Sequence, residues 1–184
     1  MLPVRYRDAG GAAVISTTQI LTLAGRIDTT WFTAESAWRG RVVHTLTEFY
    51  DRDEPMDIPD GLDGYMDAYA MFVSVVRPVY LASELPVVSE SMHFGGRIDR
   101  VVTMFGVTGI LDFKTSDPSP WHGEQLAAYN ALYPTGARWV CYLRSTGRFK
   151  LMPYENPQDH RQFMYDLARI RGTITPDGDH WVTM

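Results

Sequence analysis

The sequence predicts an α/β fold in which a mixed central β-sheet is flanked by helices. Three observations carry that expectation. Helical periodicity dominates residues 17–76, three β-prone segments follow one another between 79 and 114, and helix and strand signals alternate from there on. At 184 residues the chain has the size of one domain. It divides into an N-terminal hairpin with helices over 1–77, a core over 78–145, and a C-terminal strand and helix over 146–184.

Taken in order, residues 3–16 place Gly10 and Gly11 between short β-prone runs, as a hairpin does. Thr17 or Thr18 can cap a short helix reaching Leu23. Thr33 to Tyr50 reads as a helix with Trp38, Val42, Leu46 and Phe49 on its inner stripe. Leu62, Tyr65, Met66, Tyr69, Phe72, Val73 and Val76 repeat at 3.6 residues, and Pro78 ends that helix. Residues 79–88, 93–102 and 106–114 are rich in β-branched and aromatic side chains with turn residues between them, which predicts an antiparallel meander. Pro118 and Pro120 close the third strand. A helix over 121–133, strands at Arg138–Leu143 and Phe149–Pro153, and a last helix opening at Asn156-Pro157 complete the order. Phe163, Leu167 and Ile170 form the inner face of that last helix.

Composition excludes several classes. The most apolar stretches are cut by Arg77, Glu84 and Pro86, short of the roughly 20 apolar residues that a spanning helix needs. No apolar segment follows Arg5 and Arg7, so no secretory signal is read and a cytoplasmic location is expected. Cys141 is the only cysteine, which leaves no intramolecular disulfide and no four-cysteine iron–sulfur site. A net charge of −5 argues against a generally basic surface, so any grip on nucleic acid must be local. The pair Arg39 and Arg41 and the run Arg161, Arg169 and Arg171 are candidates for it.

The sharpest chemical feature is Gly109-Ile110-Leu111-Asp112-Phe113-Lys114-Thr115. Strand side chains alternate, so Ile110, Asp112 and Lys114 share one face and Leu111 and Phe113 the other. A carboxylate there can hold a hard divalent cation, and the ammonium can orient an attacking water or offset phosphate charge. The plain alternative is a surface ion pair. Phe94-Gly95-Gly96-Arg97-Ile98-Asp99-Arg100-Val101 puts a second carboxylate in the neighbouring strand, where two acids can converge on one ion. Otherwise Asp99 pairs with Arg97 or Arg100. His44 falls off the apolar stripe of its helix, either facing solvent or overlooking the sheet. Gln125 and Tyr129, one turn apart, can bind phosphate or bases, or anchor the helix at the core edge.

Four motifs in order, Arg39-Gly40-Arg41-Val42-Val43-His44, Gly96-Arg97-Ile98-Asp99, Asp112-Phe113-Lys114-Thr115 and Gln125-Leu126-Ala127-Ala128-Tyr129, resemble the PD-(D/E)xK nucleases over about residues 17–145. The likeness is to the RecB-type branch that includes phage exonucleases and the exonucleases of CRISPR adaptation. It implies a restriction-endonuclease-like core and a metal-dependent DNA nuclease, most simply an exonuclease, acting in DNA processing, recombination or repair, with a phage origin among the options. It further implies Mg²⁺ or Mn²⁺ on Asp99, Asp112, the Phe113 carbonyl and His44, with Lys114 positioning the water. Gln125, Tyr129 and Arg41 would hold the DNA. Glu84 and Glu90 compete for a further acidic position, with Glu84 slightly favoured. Some members carry an iron–sulfur cluster on four cysteines, which this chain cannot build. DNA is the implied partner, with a helicase, recombinase or single-strand binding protein as candidate companions and no membrane. Two rival readings are a catalytically silent nuclease-like domain that binds DNA or protein, and a metal hydrolase of nucleotides.

Overall fold

The computed structural model describes residues 2–31 and 33–184. In chain order the elements are β1 (Leu2–Pro3), β2 (Tyr6–Arg7), β3 (Ala13–Ser16), α1 (Thr17–Leu23), α2 (Ala34–Asp51), α3 (Asp63–Val76), β4 (Val79–Ser89), β5 (Phe94–Met104), β6 (Val107–Lys114), α4 (Pro120–Leu132), β7 (Ala137–Leu143), β8 (Phe149–Pro153), α5 (Pro157–Arg171), β9 (Ile174–Asp177) and β10 (His180–Thr183). A single 3-10 turn, Thr29–Trp31, precedes α2. No helix among the described residues is long and apolar enough to cross a membrane.

β4, β5 and β6 form the expected antiparallel meander. The β5–β6 turn is two residues long, with Phe105 and Gly106 both at positive φ, the backbone that matches the twist of a tight hairpin. β7 lies parallel to β6, which requires the crossover supplied by α4, and β8 returns antiparallel. β4 runs along one edge of β5 and pairs with no other strand among the described residues. The opposite edge of β5 is shared: β3 pairs with it in parallel at Phe94 and Gly95, and β6 from Arg100 to Met104. Residues 96–99 lie between those two partners, and the candidate site forms there.

Strand alternation sorts the core into two layers. Leu111, Phe113, Trp139, Cys141 and Leu143 face α2 and α3, where they meet Val43, Leu46, Met66, Tyr69 and Phe72. Ring centroids of Tyr69 and Phe113 are 5.1 Å apart and those of Phe72 and Phe113 5.6 Å, both edge to face. Each such pair adds about 0.5–1.5 kcal/mol beyond the area it buries. Ile110, Val140 and Tyr142 face α4, against Leu126 and Tyr129. A third cluster joins α1 and α5 to β3 and the start of β5 through Ile20, Phe94, Phe163 and Leu167.

Several details differ from the sequence reading. The N-cap of α1 is Ser16, which accepts from the Gln19 amide at 3.2 Å while Gln19 reaches back to the Ser16 amide. β5 runs two residues past the expected Val102. β9 and β10 form a further hairpin, to which β1 adds through Leu2 opposite Trp181. A two-residue turn at Gly178-Asp179 makes it, a hairpin signal visible in the sequence. The inner face of α2 is centred on Val43, Leu46 and Thr47, and Trp38 is 41% exposed.

The rotation of α2 has a polar cause. Arg100 on β5 is fully buried beneath it. Its Nε donates to Asp51 Oδ2 at 3.1 Å, its Nη2 to Thr47 Oγ1 at 3.1 Å and its Nη1 to the Asp99 carbonyl at 2.8 Å. The Tyr69 hydroxyl donates to the other Asp51 oxygen and lies 2.9 Å from the Tyr80 hydroxyl. His44, Thr47 and Asp51, spaced three and four apart, therefore turn inward together, and an apolar stripe cannot reveal such a face. Removing one member leaves buried groups without partners. Arg100→Ala is expected to cost about 3–5 kcal/mol of unfolding free energy, read from urea denaturation. A loss below about 1 kcal/mol would show that Asp51 and Thr47 are satisfied without the guanidinium.

Candidate active site

The β5–β6 ladder ends at Arg100 opposite Leu111. One residue further, Asp99 and Asp112 would face each other, but here the strands part and β6 continues on β7 alone to Lys114. The Phe113 amide donates to Asp99 Oδ2 at 3.1 Å, so a carboxylate takes the bond that a strand would otherwise make. Both acids are buried, Asp99 8% and Asp112 2% exposed. Burial raises the pKa of Asp99, and the charge of Asp112 adds to the rise against the opposing pull of His44 and Lys114.

Asp112 and Lys114 share a face, as alternation requires. Lys114 Nζ lies 2.5 Å from Asp112 Oδ2 as an ion pair without hydrogen-bond geometry, and donates to Gln125 Oε1 at 3.0 Å. Gln125 Nε2 donates in turn to the Tyr129 hydroxyl at 3.1 Å. Gln125 and Tyr129 are both buried, so the chain from lysine to amide to phenol is a rigid support on α4. Tyr129 also packs in the core beside Ile98 and Ile110. A Cβ on Gly96 would lie 2.7 Å from its ring, so only glycine lets β5 pass this close.

α2 brings His44 to the same place. Its Nε2 donates to the Phe113 carbonyl at 2.9 Å, and its Nδ1 is 3.2 Å from Asp99 Oδ2 and 3.9 Å from Glu84 Oε1. Burial opposes the imidazolium, but Asp99, Glu84 and Asp112 outweigh it and hold the pKa up at about 9. Glu84 arrives from β4. It lies across from Asp99, since Ser83 pairs with Arg100 and Leu85 with Ile98. Its φ of +48° is left-handed, a strained conformation for a side-chain-bearing residue inside a strand. Burial works to raise its pKa, yet the nearby imidazolium of His44 and the charges of Arg100 and Arg97 hold its carboxyl below the usual range.

His44, Glu84 and Asp99 each offer a ligand atom within 4.8 Å of the others. Glu84 Oε1 and Asp112 Oδ2 are buried and accept no hydrogen bond from the described residues. Among these residues Asp112 Oδ2 has only the Lys114 ammonium beside it, and Glu84 Oε1 has cations no nearer than 3.9 Å, so these buried carboxylate oxygens have coordination to spare and suit a hard divalent ion. The structure distinguishes the two competing glutamates: Glu84 is at the cluster, whereas Glu90 is exposed in the β4–β5 turn. Phe113 and His44 are hydrogen-bonded to each other, so ligation by both requires that bond to open. Arg41 is exposed one turn before His44, without a side-chain partner among the described residues. Arg39 Nε reaches Thr115 Oγ1 at 3.4 Å. Arg161, Arg169 and Arg171 lie on α5, which packs chiefly on α4 and α1. The sequence reading offered Arg100 only as an alternative partner of Asp99 and gave no role to Thr47 or Asp51; the signal for them is an arginine inside an apolar strand paired with polar positions on a helix.

No protein-family model matches the sequence, and no curated protein matches it. Among solved structures, the chain is similar to an alkaline exonuclease (LHK-Exo) from Laribacter hongkongensis, with a TM-score of 0.53 at 10% identity over 86% of each chain. It is similar to the same exonuclease in complex with dAMP, with a TM-score of 0.52 at 10% identity, again over 86% of each chain. At that identity the likeness is one of fold: an α/β, restriction-endonuclease-like architecture with a mixed sheet between helices.

Proposed function

We propose that the protein is a divalent-metal-dependent DNA nuclease, acting as an exonuclease, that hydrolyses phosphodiester bonds. The observation that carries this reading is the convergence of Asp99, Asp112 and Lys114 at the point where β5 and β6 separate. Asp99, Asp112 and Glu84 would hold Mg²⁺ or Mn²⁺, with His44 or the Phe113 carbonyl as a further donor. When bound, the ion supplies positive charge against the scissile phosphate and acidifies the attacking water. Lys114, fixed between Asp112 and Gln125, points a charged donor at that water or at a phosphate oxygen. Asp99 and Asp112 would stay ionised as ligands, and the proton of the attacking water would pass to solvent as water adds to phosphorus and the bond to the leaving oxygen breaks. Arg41, exposed beside the site on α2, is placed to meet the backbone of the DNA strand. The exonuclease neighbours support DNA as the substrate class.

Asp99→Ala, Asp112→Ala and Lys114→Ala are each expected to lower the cleavage rate at least 10²–10³-fold, with unchanged circular dichroism. Excess EDTA should do the same. Time courses on end-labelled linear and circular DNA with Mg²⁺ or Mn²⁺ check this and separate exonuclease from endonuclease action. Full cleavage by folded Asp112→Ala would end the proposal.

Gln125→Ala removes a hydrogen bond to a charged group, a loss of about 1.5–3 kcal/mol, and should slow cleavage roughly tenfold to hundredfold while metal binding is retained. Rate and melting temperature measured on one preparation decide the matter. A lowered melting point with a normal rate would leave Gln125 a purely structural role.

His44 is charged in the metal-free protein up to about pH 9, above its ordinary 6.5. The stability from its ion pairs is complete below about pH 6.5 and is lost as pH rises through 9. Asp99, also raised, changes in the same direction. The melting temperature in EDTA should therefore fall from pH 6.5 to 9, and Mn²⁺ binding at neutral pH should release protons. Titration calorimetry in buffers of different ionisation enthalpy reads the release; none at all would refute competition between ion and proton.

A further inference from the structure

Ser116 to Ser119 lead from Lys114 and Thr115 into α4, and Trp121 stands in the first turn of that helix. Its half-buried indole has its centroid 5.3 Å from Lys114 Nζ. Beside it opens a cavity of about 260 Å³, walled by Trp121, His122, Ser116, Ser119, Arg26 and Asp28. His122 is 1% exposed. Its Nδ1 accepts from the Ser119 amide at 3.2 Å and lies 2.8 Å from the Tyr142 hydroxyl, itself 2.6 Å from that of Tyr154. The ring proton must then sit on Nε2, a buried donor with no acceptor among the described residues. Burial and the charge of Lys114 hold the imidazole pKa down at about 4, so His122 is neutral.

We propose that this cavity is a nucleobase subsite: it takes the base next to the scissile phosphate, stacked on Trp121, with its polar edge toward Ser116, Ser119 and His122. The inference rests on the nuclease reading above and deepens it. The charges favour a neutral ring over a second phosphate. Arg26 gives its Nε to Asp166 at 2.7 Å, and Asp117 pairs with Arg144 at 2.8 Å, so the charged groups around the opening largely answer one another. Stacking on an indole accepts every base, since each has a π-face, and the hydroxyls can meet either a donor or an acceptor edge. A base still paired in a duplex cannot enter, so the nucleotide engaged is unpaired, as at a frayed end or in a single strand. The distance from Trp121 to Lys114 puts the base and its own phosphate in reach of one another.

The test couples the residue to the base. Single-stranded oligonucleotides, intact or carrying one abasic residue at each successive position from either end, are bound in Ca²⁺ by anisotropy and cleaved in Mn²⁺. Wild type, Trp121→Ala and Trp121→Phe are compared. For wild type, one abasic position should weaken binding and kcat/KM about five- to hundredfold. Trp121→Ala should show that loss on intact DNA and no further loss at the same abasic position, and Trp121→Phe should keep most of the coupling, which a misfolded variant could not do. Equal abasic losses in wild type and Trp121→Ala, or no sensitive position in wild type, would overturn the subsite. Absence of cleavage by wild type with the binding coupling intact would strike the hydrolytic reading and leave the subsite standing.

Discussion

The parting of β5 and β6 below Arg100 and Leu111 is the constraint from which the site follows. A continued ladder would bury Asp99 and Asp112 as a cross-strand pair of like charges, which is unfavourable. Separation frees one backbone amide, which Asp99 takes, and leaves room for side chains from two other elements and from the end of β6 itself. β3 then occupies the edge of β5 that β6 has left, so the opening is bounded on both sides by paired backbone. Glu84, His44 and Lys114 reach the gap from β4, α2 and the end of β6.

Electrostatics explain why the elements around the gap hold their positions. Burying several carboxylates together is costly unless cations answer them. Arg100 answers from the side facing α2, Lys114 from the side facing α4, and His44 between them. The imidazolium of His44 stands among these carboxylates and offsets part of their charge. The overall negative charge is compatible with a DNA substrate because the local field is set by these cations and by whatever ion the carboxylates hold.

Much of this could be read from side-chain order. Alternation over Ile110 to Lys114 assigned faces correctly because the parallel ladder with β7 stays regular through Lys114 even where β5 has left. The meander was visible in β-branched runs broken by turns. What stayed hidden depends on non-local polar pairing. Val42 and Leu46 pack on the core as the stripe predicts, but Trp38 is exposed because α2 turns toward Arg100, whose partners on a distant helix the apolar stripe does not mark. The preference of Glu84 over Glu90 rests on register and on a left-handed backbone, neither of which propensity encodes. Ser16 both ends β3 and caps α1, where Thr17 or Thr18 was expected, because capping depends on where the chain turns.

The backbone turn at Glu84 has a second effect, on the outer rim of the sheet. β4 is an edge strand eleven residues long with Val79 and Leu81 exposed, a template on which a foreign strand can grow. Along it the register slips between Tyr80 and Ala82, the backbone is left-handed at Glu84, and Pro86 offers no amide hydrogen. No run of four consecutive residues from Tyr80 to Pro86 presents a regular row of donors and acceptors. The distortion that accompanies the inward carboxylate thus also interrupts the edge as a template, so straightening β4 would disturb the acidic cluster and expose a regular edge together.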